Sequence, residues 1–92
     1  MTVYVDFPIW ARAGVKNPRT LYAHMVANSL KELHEFAITI GVKKHFFHKS
    51  PSAHHYDITE KQYEAAMKAG AQQVTSKELL KIGKKATQEK LI

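Results

Sequence analysis

The chain has 92 residues, 45% of them hydrophobic, with a formal charge of +6 and no cysteine. That length holds one domain around one core, and the hydrophobic share excludes wholesale disorder. The missing thiol excludes a disulfide framework, a thiolate metal site and a cysteine nucleophile; no apolar run approaches the length that spans a bilayer; and the excess of cations favours phosphate-bearing partners.

Thr2-Val3-Tyr4-Val5 has strand composition. Asp6 follows at once, where an acid serves either a site at the strand's carboxyl end or a turn. The opening MTVYVDF carries an acid and no basic stretch, so it does not read as a signal peptide, and a cytoplasmic protein is expected. Residues 7–19, with Pro8, Gly14, Asn17 and Pro18, read as a long loop. The loop holds Trp10 near Arg12, Lys16 and Arg19. An aromatic among cations can stack on a base while the cations hold phosphate; alternatively Trp10 closes an edge of the core.

Residues 20–27 read as a strand, because Asn28-Ser29 interrupts the apolar spacing and Ser29-Leu30-Lys31-Glu32 has capping-box form. Alternation then sets Tyr22, His24 and Val26 on one face and Ala23, Met25 and Ala27 on the other. A helix over 29–40 follows, with Leu30, Leu33, Ala37 and Ile40 as its buried stripe, His34 on or beside it and Gly41 as its stop. His45 to His48 reads as a short strand, 50–53 as a loop and 54–58 as extended. Thr59-Glu60-Lys61-Gln62 opens a helix over 60–69 with Tyr63, Ala66 and Met67 on one face. Residues 73–75 read as a brief strand. Ser76 is expected to cap a helix over 76–90 with the stripe Leu79, Ile82, Gly83 and Ala86. The lysines crowding that helix fit either a solvated face or a phosphate-binding one. The expectation is a single small α/β or α+β domain: one sheet of short strands, largely parallel, packed with about three helices.

These pieces resemble a small family from bacteria and their phages, the domain of unknown function 4031. The resemblance rests on MTVYVD, AHMVANSLKELHEFAITIGV, HYDIT followed by a helix, and AGAQQVTSKEL. It draws attention to Asp6, His24, His55, Tyr56 and Asp57, which fall inside those motifs.

The stretch from His45 to Asp57 holds four of the six histidines. His55-Tyr56-Asp57 is an H-x-D spacing, and in extended chain residues two apart point the same way. The pair can ligate a divalent metal, or the carboxylate can orient a histidine that moves a proton. Asp6, His24, His55 and Asp57 would form an oxygen/nitrogen cluster if their strands are neighbours. Such clusters hydrolyse phosphate esters through metal-activated water.

Three functions remain open. One is binding, with or without hydrolysis, of a phosphorylated small ligand, with Asp6, Trp10, Arg12 and Tyr56 as further contacts. The second is nucleic-acid binding through the lysines and Trp10. The third is a protein-interaction role without a ligand. A purely structural hydrogen-bond cluster is the alternative to any site.

Overall fold

β3 (Leu21–Ala27) is the longest strand and the hub of the sheet. A computed structural model provides the fold and describes residues 2–10, 21–51 and 53–89. β1 (Val3–Val5) pairs antiparallel with β3 on one side and β5 (His55–Thr59) antiparallel on the other. β4 (Phe47–His48) extends the sheet beyond β5, and β6 (Gln72–Gln73) lies parallel to β1 at the far edge. The order is β4-β5-β3-β1-β6, and β2 (Ile9–Trp10) pairs with β3 beyond the end of β1.

The fold is α+β, and among the described residues parallel pairing is confined to β1 and β6. The strand–helix–strand units do bring their strands back in the same sense. β3 and β4 run parallel across α1 (Leu30–Thr39), and β5 and β6 across α2 (Glu60–Lys68). In each case strands of the opposite sense fill the gap: β5 lies between β3 and β4, and β3 separates β5 from the β1–β6 pair. These are split β–α–β units, and splitting turns most neighbours antiparallel.

The ladder contains one irregularity. Val5 pairs with Met25 but Ile9 pairs with Tyr22, so three residues on the first segment face two on β3. Asp6-Phe7-Pro8 is therefore a bulge, a device that bends a strand and re-aims a side chain. The loop expected over 7–19 is interrupted here by β2, because Ile9 and Trp10 still find the edge of β3. Arg12, Lys16 and Arg19, and the side chain of Trp10, lie outside the described residues.

Two helices cover one sheet face. Leu33, Phe36 and Ala37 of α1 and Ala66 of α2 pack with Val3, Val5, Met25, Tyr56 and Ile58. Ser29 caps α1, its Oγ accepting the Glu32 N–H at 3.2 Å. Thr59 and Gln62 form a complete capping box at α2. Both helices end in Gly41 and Gly70 at positive φ, each followed by a buried residue whose N–H returns to the last turn: Val42 to Ala37 O, and Ala71 to Ala66 O. This is the Schellman stop, for which glycine is suited because it has no Cβ to strain. Met67, expected on the buried face of α2, is 38% exposed at its edge.

Among the described residues, α3 (Ser76–Glu89) is the helix that covers the other face. Its expected stripe holds for Leu79, Gly83 and Ala86, and Thr87 joins them. A Cβ on Gly83 would stand 2.9 Å from Ala53 Cβ and 3.0 Å from Val26 Cγ1, so the helix lies close on the sheet. The cap is Thr75 rather than Ser76: Thr75 Oγ1 accepts the Glu78 N–H at 3.2 Å. The strand expected over 73–75 is shifted to Gln72–Gln73, since Thr75 is taken up by that cap. The strand expected over 45–48 shrinks to Phe47–His48 because Lys44–Phe46 close a 3-10 turn.

Candidate functional site

The alternation of β3 and β5 builds the site. His24 and Asp57 are direct cross-strand partners, and His55 precedes Asp57 by two on the same face. His48 is the cross-strand partner of His55. All four side chains therefore stand on the α3 face, on the part of the sheet beside that helix.

Asp6 enters the row through the bulge. Its N–H donates to His24 O at 3.2 Å, and its Oδ1 accepts the His24 N–H at 2.7 Å, so the carboxylate stands in for a main-chain carbonyl in the ladder. Its Oδ2 lies 2.8 Å from His24 Nδ1 and also receives a 3.4 Å contact from Ser76 Oγ. Asp6 is only 3% exposed. An ionised carboxylate only accepts, so His24 Nδ1 carries the proton and its Nε2 faces the site.

His55 is fixed in the same way. Its Nδ1–H donates to Ala53 O at 2.9 Å, leaving Nε2 3.3 Å from Asp57 Oδ1. His24 Nε2 is 3.8 Å from the same oxygen, and His48 Nε2 is 2.9 Å from Asp57 Oδ2. The His24 and His55 rings meet edge-on with centroids 5.1 Å apart, whereas His48 and His55 stack at 5.6 Å.

The electrostatics follow from these contacts. The hydrogen bond to Asp6 raises the His24 pKa above its ordinary value, against burial, which lowers it. The hydrogen bond to Asp57 does the same for His55, again against burial. Burial pushes Asp57 up, but the hydrogen bond to His55 and the charges of the three histidines outweigh it and hold the carboxyl below its usual range.

The ligand atoms of His24, His55 and Asp57 lie within 4.8 Å of one another. Donors about 2.1 Å from one ion stand roughly 3–3.4 Å apart, so a small contraction would close them on a cation. Two histidines and one carboxylate leave open positions for water or a phosphate oxygen. Beside this trio lies a cavity of about 320 Å³ lined by Asp6, His24 and His55 together with Ala53, Leu79 and Leu80.

The expected residues separate into those the fold brings together and those it does not. Asp6, His24, His55 and Asp57 meet, with Asp6 standing behind His24 rather than beside the other donors. Tyr56, expected as a ligand contact, is 2% exposed on the opposite sheet face, and its hydroxyl lies 2.8 Å from His34 Nδ1. Its burial raises the phenol's pKa. His54 holds the turn, accepting the Ser50 N–H at 3.0 Å, while its own N–H donates to Thr87 Oγ1. Sequence reasoning missed His48 and Ser76. His48 could have been found by pairing 47–48 with 55–56 as a hairpin across Ser50-Pro51-Ser52; Ser76 offers no pattern, since its partner is Asp6, 70 residues away.

The family model described as a protein of unknown function, DUF4031, matches residues 3–86. The chain belongs to this DUF4031 family. No curated protein and no solved structure matches it. The match covers every DUF4031 residue of the site described above, from Asp6 to Ser76.

Proposed function

We propose that this DUF4031 protein binds a divalent cation through His24 Nε2, His55 Nε2 and Asp57, and uses it to bind and hydrolyse a phosphorylated, nucleotide-like ligand in the adjoining cavity. The observation that carries the reading is the double anchoring of the histidines. Each gives its Nδ1–H to a fixed acceptor, Asp6 for His24 and Ala53 O for His55, and turns Nε2 toward one carboxylate oxygen. Histidines that ligate metals are held in this manner by their other nitrogen. The reading also accounts for charge. Two carboxylates, Asp6 and Asp57, repel a phosphate unless a cation stands between.

The chemistry divides accordingly. A cation held by His24, His55 and Asp57 would lower the pKa of a bound water and polarise a phosphoryl oxygen. In the hydrolysis the water oxygen would bond to phosphorus as its proton passes to a base, the ester P–O bond would break, and the leaving oxygen would take up one proton in return. With His24 and His55 engaged through Nε2, His48 is the neighbouring imidazole that would take the water's proton and return one to the leaving oxygen, its Nε2 held 2.9 Å from Asp57 Oδ2. Ala53, Leu79 and Leu80 receive the organic part of the ligand.

Isothermal titration with Zn²⁺ and with Mn²⁺ tests the reading directly. One ion per chain is expected, with binding lost in His24→Ala, His55→Ala and Asp57→Asn. Phosphate release from a nucleotide panel should require the ion and decline in His48→Ala while ion affinity holds. If neither metal binds at millimolar protein, the cluster is a structural hydrogen-bond network.

A further inference from the structure

Charge is divided between the two sides of the sheet. α1 and α2 carry Glu32, Glu35, Glu60 and Glu64 against Lys31, Lys61 and Lys68. α3 carries Lys77, Lys81, Lys84 and Lys85 against Glu78 and Glu89, and Glu78 is occupied at the Thr75 cap. Beyond the other border of the site, the segment around β4 adds Lys43, Lys44 and Lys49 with no acid. All seven of these lysines are exposed.

The arrangement on α3 is specific to the cavity. Leu80 lines the cavity yet is 48% exposed. Lys77 lies three residues before it and Lys84 four after, which puts both beside it on one helix face. Seven residues, roughly 10.5 Å of helix, separate the two lysines, so they can hold phosphates on either side of a nucleotide placed at Leu80. A second concavity between Asn28, Lys81, Ile82 and Lys85 lies on the further flank of the same helix.

We propose that the ligand this site receives is single-stranded nucleic acid, its backbone held along Lys77 and Lys84 and one nucleotide seated against Ala53, Leu79 and Leu80. A basic groove that follows the backbone beside an apolar platform is the way single strands are bound. The cavity, about 320 Å³, holds a unit the size of one nucleotide, and a nucleotide stacked and paired in a duplex is not free to enter it. This names the substrate class of the same site; it rests on the preceding reading for the chemistry, not for the binding.

The test is fluorescence anisotropy of a labelled single-stranded oligonucleotide, with a matched duplex as competitor. The whole chain should bind the single strand in preference to the duplex, with affinity falling steeply as salt rises. Lys77→Glu with Lys84→Glu should weaken binding about tenfold or more, while Lys31→Glu with Lys61→Glu, on the other side of the sheet, should leave it within about twofold. Equal losses in the two pairs, no binding at low salt, or preference for the duplex would overturn the proposal. Titration with Mn²⁺ runs alongside. Strand binding that follows the α3 lysines without any ion binding supports this proposal and removes the metal chemistry; ion binding without strand binding does the reverse.

Discussion

Asp6 carries more of the site than its position in the sequence suggests. It is buried, it completes the ladder at His24 N–H, and it fixes the ring through Nδ1. Asp6→Asn replaces one acceptor oxygen by an amide that cannot accept. The buried donors then lose a partner, which costs about 1–3 kcal/mol. Outer-shell partners of metal ligands typically contribute roughly 10–100-fold to affinity, so the variant should fold, melt lower and bind the ion more weakly by that factor. His55→Ala separates function from stability more cleanly. Its side chain keeps 20% of its surface exposed and its ring partners, Ala53 O and Asp57, lie at the border of the site, so truncation should cost about 1 kcal/mol, while ion binding disappears. Calorimetry and chemical denaturation of the two variants read both quantities.

The same residues set opposite pH dependences. The pKa of His24 is raised, so its pairing with Asp6 stabilises the ion-free fold fully below about 6.5 and fades as pH climbs through the higher folded value. His55 follows the same sign. The lowered pKa of Asp57 stabilises above the ordinary carboxyl value of 3.8 and is lost as pH falls through its lower folded value. Chelator-treated protein should therefore melt highest between about pH 4 and 6.5 and lose stability toward pH 8. Ion binding needs neutral imidazoles and runs the other way. The rise in melting temperature on adding Mn²⁺ should be small at pH 6 and larger at pH 8; a rise independent of pH would remove the histidines from the ligand set.

At the scale of elements, the β3–β5 pairing brings the trio together and the seat of α3 sets how His55 is held within it. Gly83 lets the helix approach Val26 and Ala53, and Thr87 Oγ1 accepts the His54 N–H at 2.8 Å while donating to Gly83 O. Ala53 in turn supplies the carbonyl that fixes His55. Gly83→Ala would gain about 1 kcal/mol of helix propensity but force its Cβ against Ala53, and overpacking of this kind costs about 1–3 kcal/mol. The expected net is a modest loss of stability with a disproportionate loss of ion affinity, because the displaced residue holds His55. Unfolding curves and ion titration of the same variant check both parts.

The whole molecule divides its labour between the two faces of one sheet. The α1–α2 face holds the main core, with Leu33 fully buried at its centre. Leu33→Ala should cost about 2–5 kcal/mol, a large share of the roughly 5–14 kcal/mol a 92-residue domain has, and should lower the denaturation midpoint without altering the Mn²⁺ affinity of the molecules that remain folded. The α3 face is thinner, with one helix, and leaves half-buried histidines at its border. Among the described residues no helix is long and apolar enough to cross a membrane.

The sequence by itself determined the local features. Hydroxyl caps and left-handed glycines mark the first two helices, because those signals act over four or five residues. Alternation assigned His24 to one face of its strand and set His55 and Asp57 on the same side of theirs, because a pleat has period two whatever lies beside it. The family was legible in motifs spread along most of the chain. Only the tertiary structure decided which strands are neighbours. That choice pairs His24 with Asp57, brings His48 across from His55 and turns most of the expected parallel pairings antiparallel. The bulge at Asp6-Phe7-Pro8 was equally hidden, since it is a mismatch between two strands and belongs to neither alone. Ser76 reads locally as a cap and is instead drawn to Asp6 by the close seat of α3 on the sheet, a contact set by packing across 70 residues of chain.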